Sequence, residues 1–365
     1  MGPRWRPPRP RDHAAFHAVN PGLVNRRGVL AAVPVLAGGA ALLGGCSSVE
    51  GAVVDVENVL SISLGQTESH PSYDSLVSFG ERLAAATDNR WGVRVYANSS
   101  LGGQQETVQL VSDGAVDLAV ISGTQIENSS PRFLPLNIPG AFDDIDHQNR
   151  VMVDEDIVGE LFSLLEPDMR LTVLGGYTQG SRHLYTRQGP IESPSDLSGM
   201  QIRVQESEIF LRLIDEMGGI PSPLAYSEVY TALQAGLLDG AENNEISYLT
   251  QRHYEVAGHF TLTNHLVGFD FLLVNTDLLE EMGEEDATAL RDAWIETQNE
   301  FVDIWREETE EAVSELESRG VEIHEPDPEA FREAIDAAGT SMLEHPDDID
   351  LYERIRAVSE EGGTS

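Results

Sequence analysis

Short apolar strands alternate with amphipathic helices along this chain, and no other feature of the sequence constrains the fold as much. Residues 60–64 have the two-residue alternation of a strand, 73–87 have helical spacing, and 93–96 again alternate. The pattern continues with a helix predicted at 105–113 and strands predicted at 117–122 and 173–177. Because helices that alternate with short strands cover the faces of a sheet, the sequence predicts an α/β protein.

A second region repeats the same order of elements. A strand is predicted at 201–204, a helix at 208–217, and a further helix at 226–235 that ends at Gly236. Residues 284–319 then form one long amphipathic pattern, which exceeds the length of an ordinary globular helix. This length predicts either a broken helix or one helix that crosses two lobes.

The N-terminus has the features of an export signal. Arg26 and Arg27 precede the apolar run 28–45, which is too short and too rich in glycine for a membrane span of about 20 apolar residues. The run ends at Cys46, the single cysteine of the chain. We therefore interpret 1–45 as a signal peptide with a twin-arginine-like motif, and Cys46 as the lipid-modified first residue of the mature protein.

Lipidation of this cysteine predicts a protein anchored outside the cytoplasmic membrane, in the periplasm or at the cell surface. Residues 46–58 have no strong pattern and are interpreted as a tether. Because the cysteine is used for the lipid, we expect no disulfide in the mature domain. The alternative is an accidental arginine pair before an uncleaved anchor, with a buried structural cysteine.

The net charge of −39 is extreme for 365 residues, and all 23 basic residues are arginine. Such a surface repels nucleic acid and anionic lipid. A disordered acidic chain has low hydrophobicity, whereas 41% of these residues are hydrophobic and follow regular periods, which indicates a folded domain. Carboxylates spread over a folded surface keep it hydrated in high salt, so we expect a halophilic source organism.

Sequence signatures of enzymes and metal sites are missing. The chain has no Gly-x-Ser-x-Gly elbow, no His-Glu-x-x-His and no phosphate-binding glycine loop. His253 and His259 come nearest to the spacing of metal ligands, but neither has a partner at helical separation, so we expect no metal site. These observations favour a protein that is not an enzyme and needs no cofactor.

An arginine among apolar residues is informative in so acidic a chain, because a buried guanidinium requires an anionic partner. Arg203 lies between Ile202 and Val204 in a predicted strand, and Arg182 is a second candidate of the same kind. The planar fork of guanidinium donors matches both oxygens of a carboxylate. Both arginines are therefore candidates for binding a small carboxylate. The alternative for each is an ordinary internal salt bridge.

Two stretches, with shorter matches over nearly all of the mature chain, carry a resemblance to a known family. Residues 193–204 read Ser-Pro-Ser-Asp-Leu-Ser-Gly-Met-Gln-Ile-Arg-Val, and residues 225–243 read Ala-Tyr-Ser-Glu-Val-Tyr-Thr-Ala-Leu-Gln-Ala-Gly-Leu-Leu-Asp-Gly-Ala-Glu-Asn. This pattern resembles the DctP-type substrate-binding subunits of tripartite ATP-independent periplasmic (TRAP) transporters. The resemblance implies a two-lobed periplasmic-binding-protein-like fold, with a hinge and a long helix crossing both lobes, that closes over an organic anion.

The same resemblance implies how the mature chain is divided. Lobe I would comprise 59–180 and 269–308, and lobe II would comprise 181–268 and 309–365. The implied function is capture of a small organic acid for the small and large membrane subunits of a TRAP transporter. A ligand-binding partner of a membrane sensor is one alternative, and an exported enzyme on the same scaffold is another.

The resemblance also assigns residues to the binding site. Arg203 would be the main carboxylate clamp, and Asn243 would close over the same anion through its amide. Arg182 would lie nearby in the second lobe. Tyr226 occupies a position where the family usually has an aromatic residue packed on the ligand, and its alternative role is core packing at a helix start.

Three further residues are candidates for the far end of the ligand. Gln66 and Glu68 follow the first predicted strand, and Glu206 follows the predicted clamp. The alternative for each of them is a surface position. A polar set of this kind suits a hydroxylated acid better than a second carboxylate, which prefers another cation. We therefore expect a sugar acid or hydroxy acid ahead of a C4-dicarboxylate.

The acidic composition yields a prediction about salt. We expect the melting temperature of the protein to rise between low and molar salt, because salt screens the mutual repulsion of the surface carboxylates. Thermal unfolding followed by circular dichroism measures it. A melting temperature that stays constant or falls over this range would contradict the halophilic interpretation.

Overall fold

The computed structural model describes residues 56–358. The interpreted signal peptide, Cys46 and most of the tether lie outside the described residues, so their roles stay predictions. Within residues 56–358, every helix is too short or too polar to cross a lipid bilayer.

A single mixed sheet contains the strands of the described residues. These strands are β1 (Asn58–Ser63), β2 (Trp91–Tyr96), β3 (Leu118–Ser122), β4 (Leu171–Thr186), β5 (Gln201–Val204), β6 (Ile220–Pro223), β7 (Gly240–Asn243), β8 (His259–Asn275) and β9 (Glu322–His324). Their order is β2-β1-β3-β8-β4-β7-β5-β6, and β9 pairs with β8 outside this path. The observed sheet and its helices confirm the α/β prediction.

Two long strands hold the sheet together. Strands β4 and β8 run antiparallel and pair along nearly their whole lengths. On one side of them, β1 is parallel to both β2 and β3, and on the other, β5 is parallel to both β6 and β7. Each side of the sheet therefore gathers the carboxyl ends of its parallel strands at one edge, which is where open α/β sheets place their ligands.

The long antiparallel pair is irregular at its middle. Gly180 of β4 lies opposite Gly268 of β8, and the register shifts between Thr178 and Gly180. Gly180 has φ of 64°, and the indole of Trp305 occupies the space that a Cβ would fill. Only glycine fits a position that combines positive φ with so close a contact. The lobe boundary predicted after residue 180 lies at this bulge, and the boundary itself stays a prediction.

Helices surround the sheet. They are α1 (Pro71–Ala86), α2 (Gln104–Ser112), α3 (Gly123–Ile126), α4 (Leu134–Asn137), α5 (Ile145–Met152), α6 (Glu155–Phe162), α7 (Glu166–Met169), α8 (Glu208–Glu216), α9 (Val229–Ala235), α10 (Glu245–Thr250), α11 (Thr276–Ser318), α12 (Glu329–Gly339) and α13 (Pro346–Arg356). Helix α9 follows a 3-10 turn at Tyr226–Glu228 and ends at Gly236, whose φ is 74°. This confirms the helix predicted at 226–235 and its glycine terminator.

The long helix α11 is broken near its start. Gly283 has φ of 78° and ψ of 165°, and the segment after it is helical to Ser318. This second part matches the prediction at 284–319. It packs against α1 and β4, and the buried Trp294 meets Phe79 of α1 edge to face, with ring centroids 5.6 Å apart. Aromatic pairs of this geometry add to the burial of the helix.

The last two helices pack on different parts of the molecule. Helix α12 contacts α8, whereas α13 contacts α4 and α6. Phe331 of α12 and Ile355 of α13 are both buried in the core that also contains Ile138 and Phe210. Helices α12 and α13, which lie in the segment assigned to lobe II from the resemblance, therefore contact elements assigned to both lobes, and the lobe bounds stay a prediction.

Candidate functional site

A cavity of about 280 Å³ lies beside the carboxyl ends of parallel strands from both sides of the sheet. It is lined by Gln66, Ser99, Gly103, Gln104, Gln105, Glu106, Gln125, Gln179, Arg182, Arg203, Gln205, Glu206, Leu224, Ala225, Tyr226, Ser227, Asn243 and Ser247. Six of the seven predicted ligand-binding residues are in this set. The exception is Glu68, which is exposed and does not line the cavity.

Arg203 is a buried cation with no carboxylate of its own. Its side chain is buried at the end of β5, and both Nε and Nη2 donate to the carbonyl oxygen of Leu224, at 2.9 and 2.7 Å. Among residues 56–358, no Asp or Glu lies within ion-pair distance of it. Burial lowers the pKa of Arg203, and the charge of Glu242 opposes this shift. Arginine remains protonated at neutral pH, so a positive charge faces the cavity.

Arg182 lines the same cavity, but four of its five N–H donors already have partners in the protein. Its Nε and Nη2 donate to the two carboxylate oxygens of Glu242, at 2.5 and 2.9 Å, and its Nη1 donates to Gln179 at 2.6 Å. Both members of the pair are fully buried. Burial raises the pKa of Glu242, but Arg182 and His265 outweigh it and hold that pKa below its ordinary value. The alternative foreseen for Arg182, an internal salt bridge, is therefore present.

Gln179 connects this pair to a second buried carboxyl. Its Nε2 donates to Oδ1 of Asp270 at 2.5 Å, while its Oε1 accepts from Arg182. Burial raises the pKa of Asp270 to about 6, against the effects of Gln179 and Arg182. Asp270 therefore loses part of its negative charge at mildly acid pH.

Tyr226 and Asn243 line the cavity together with Arg203. The guanidinium carbon of Arg203 is 6.0 Å from the centre of the Tyr226 ring, a distance at which a cation is attracted to an aromatic face. Burial raises the pKa of Tyr226, so its phenol is neutral at physiological pH. Asn243 ends β7, and its Oδ1 accepts from the backbone of Asn244 at 2.9 Å. Its Nδ2 donates no hydrogen bond to any described residue.

Gln66 and Glu206 form parts of the wall. Gln66 is buried, and Glu206 is half-buried. Neither side chain hydrogen-bonds to another described residue, so both are available to a ligand. His70, close to Gln66 in sequence, has a structural role instead, because its Nδ1 caps α1 by accepting from Ser72.

Sequence reasoning missed a group of amides around the cavity. Besides Gln66, the lining contains Gln104, Gln105, Gln125, Gln179 and Gln205. Gln104 and Gln105 lie in the first turn of α2, while Gln179 and Gln205 lie close in sequence to the two arginines. Buried glutamine is uncommon in protein interiors. Gln205 could have been predicted from sequence, because it lies two residues after the candidate arginine Arg203.

Hydrogen bonds join the segment after β3 to the segment after β5. Thr124 Oγ1 donates to Gln205 Oε1 at 3.0 Å, and Asn128 Nδ2 donates to the carbonyl of Glu206 at 2.7 Å. Ser207 also donates to the buried carboxyl of Glu127, whose pKa is raised by burial to about 7. These hydrogen bonds therefore connect the two sides of the sheet just beyond the carboxyl ends of β3 and β5.

Comparison with protein families shows which family the chain matches. The model of the DctP family, described as bacterial extracellular solute-binding protein, family 7, matches residues 62–345. A solute-binding protein of Chromohalobacter salexigens is 35% identical over 259 residues, which are 71% of this chain and 76% of that protein.

Solved structures agree in fold with the present one. A TRAP periplasmic solute-binding protein of Chromohalobacter salexigens with bound D-glucuronate has a TM-score of 0.76 and 33% identity, covering 81% of this chain and 99% of that one. Another, from Bradyrhizobium in complex with D-galacturonate, has a TM-score of 0.78 and 29% identity, covering 82% and 99%. The two-lobed fold expected from the sequence is thereby confirmed.

The buried pair of Arg182 and Glu242 should contribute to the stability of the protein. Arg182→Gln leaves the Glu242 carboxylate buried without its cation, which we expect to lower the free energy of unfolding by about 3–5 kcal/mol. Adding Glu242→Gln should recover much of this loss, because the orphaned charge is then removed. Urea unfolding of both variants without ligand measures the effect. A single variant as stable as the parent would contradict a structural role for the pair.

Proposed function

The chain belongs to the bacterial extracellular solute-binding proteins of family 7, which bind solutes and are not enzymes, and on this basis we propose that it captures a sugar acid for a TRAP transporter. The observation that carries the proposal is the buried guanidinium of Arg203, which faces the cavity without a protein carboxylate. A ligand carboxylate supplies the missing anion.

The donors of Arg203 suit a carboxylate. Leu224 accepts from Nε and from one N–H of Nη2, which leaves both N–H groups of Nη1 and the second of Nη2. One N–H of Nη1 and the second N–H of Nη2 form the end-on edge of the guanidinium, which can make two parallel bonds to a carboxylate. Asn243 Nδ2 is a further donor in the same lining. We therefore propose Arg203 as the carboxylate clamp, with its guanidinium held in place by the carbonyl of Leu224.

The rest of the lining favours a hydroxylated ligand over a dicarboxylate. A second carboxylate needs a second free cation, but the charge of Arg182 is already paired with the carboxylate of Glu242. The amides and hydroxyls of the wall both donate and accept, as the hydroxyl groups of a sugar require. Glu106 and Glu206 would repel another anion and can accept from ligand hydroxyls. The similar structures with bound D-glucuronate and D-galacturonate support this class of ligand.

Closure of the two lobes accompanies binding in this proposal. The hydrogen bonds from Thr124 to Gln205 and from Asn128 to Glu206 would form as the cavity closes. We infer that β4 and β8 would bend at the register shift beside Gly180 and Gly268. Closure removes water from the carboxylate, and this strengthens its interaction with Arg203.

Binding should depend on Arg203 and on the ligand carboxylate. D-glucuronate at about a hundred times its dissociation constant should stabilise the protein by about 2.7 kcal/mol in a thermal-shift assay in high salt. Arg203→Gln should weaken binding by at least about thirtyfold, because truncating one partner of a buried charge pair costs about 2–5 kcal/mol. Isothermal titration measures the dissociation constants.

The matched control is Arg94→Gln, which removes an exposed arginine of β2 that lies outside the cavity. It should bind as the parent does. D-glucose, which has similar hydroxyls but no carboxylate, and succinate, which has two carboxylates, should bind more weakly than D-glucuronate. Normal affinity in a folded Arg203→Gln variant would refute the clamp, and a preference for succinate would refute the sugar-acid assignment.

The anchor is proposed from Cys46, which follows the apolar run of the export signal. A lipid on this cysteine would hold the mature protein near the membrane subunits of the transporter. In cells, Cys46→Ser should move the exported protein from the membrane fraction to the soluble fraction, as immunoblots after fractionation would measure. Equal partition of the parent and the variant would contradict lipid anchoring.

A further inference from the structure

Two histidines and a glutamate meet where β9 joins β8. The strands are parallel, with His259 opposite Glu322 and Thr261 opposite His324. Side chains two residues apart on a strand share a face, so Glu322 and His324 lie on one side of β9. Because His259 is paired with Glu322 across the two strands, its imidazole lies on that same side. Sequence spacing gave no sign of this group, because β9 follows the long helix α11 and lies far from His259 in the chain.

The ligand atoms of these three residues are close together. His259 Nδ1 is 3.2 Å from Glu322 Oε2, and His324 Nε2 is 3.7 Å from the same oxygen. All three atoms lie within 4.8 Å of one another. Both nitrogens are shielded from solvent, yet neither makes a hydrogen bond within the described part of the chain. The three side chains therefore converge on a common point, but the two imidazole nitrogens there have no hydrogen-bond partner.

This spacing is that of ligands around a single ion. In a tetrahedral site with metal–ligand distances of about 2.0–2.2 Å, neighbouring ligand atoms are about 3.3–3.6 Å apart. Imidazole nitrogens with one carboxylate select zinc and related transition metals, whereas calcium and magnesium prefer oxygen ligands alone. We propose that His259, Glu322 and His324 bind a divalent transition-metal ion such as Zn²⁺.

The site is open to solvent on one side. The side chains of His259 and His324 are 23% and 25% exposed, and that of Glu322 is 64% exposed. Water can therefore reach the ion and fill the position that the three protein ligands leave. The site shares no residue with the ligand cavity, so a bound ion would not occupy any of the residues that line it.

A bound ion would stabilise the attachment of the short strand β9 to the sheet. β9 has three residues and pairs with the start of β8, outside the main path of the sheet. Two of those three residues are ligands, so one ion connects β9 directly to β8. Because the unfolded chain lacks the site, metal binding stabilises the folded state.

The test compares zinc binding by the full protein and its variants. After treatment with a chelator and removal of that chelator, isothermal titration with ZnCl₂ in high salt should give one site per chain, and ZnCl₂ should raise the melting temperature. His259→Gln and His324→Gln should each weaken zinc binding by about 100-fold or more, since even the outer partners of metal ligands contribute about 10–100-fold. CoCl₂ titrated into the parent should produce visible absorption that both variants lack.

The many surface carboxylates require a control. Glu317→Gln removes an exposed carboxylate of α11 and should bind zinc as the parent does. MgCl₂ should not compete with zinc for the site. Zinc binding that survives in both histidine variants would assign the ion to surface carboxylates and overturn the proposal. Absence of zinc binding by the parent would leave the three residues as an ion-paired cluster and would overturn it too.

Discussion

Two buried guanidinium groups face one cavity, but only one of them has a protein carboxylate bound to it. Arg182 is held by both oxygens of Glu242, whereas Arg203 donates only to the carbonyl of Leu224. The charge of Arg182 is thus neutralised within the protein, and the pair links β4 to β7. The arrangement of Arg203 leaves a desolvated cation that lacks an anion, which is costly unless a ligand supplies one. The site thus presents a local positive charge inside a chain whose net charge is −39.

The fold explains how this charge reaches the cavity. Arg203 and Asn243 lie at the carboxyl ends of the parallel strands β5 and β7, while Gln66 and Gln125 follow β1 and β3. The long strands β4 and β8 lie between these two groups of strands, and residues from both groups line one cavity. A ligand between them touches both sides of the sheet, and this is the geometry from which closure can gain binding energy.

Much of this was predictable from sequence, but the long strands were not. β5 and the main part of α11 follow simple apolar periods and were predicted within a residue of their ends. β4 was predicted only at 173–177, because its second half contains buried polar residues such as Gln179 and Arg182 that break the apolar alternation. Arg203 was found by its apolar neighbours. Leu224 was missed because it contributes a backbone carbonyl, which no side-chain pattern reveals.

The contact between a ligand carboxylate and Arg203 is the central interaction of the proposed binding mode. A crystal structure of the protein with D-glucuronate tests it most directly. We predict the ligand carboxylate within hydrogen-bond distance of Nη1 and Nη2 of Arg203, with Leu224 still accepting from Nε. The Arg182–Glu242 pair should remain intact beside it. A carboxylate bound elsewhere in the cavity, with sugar hydroxyls at Arg203, would contradict the proposed clamp.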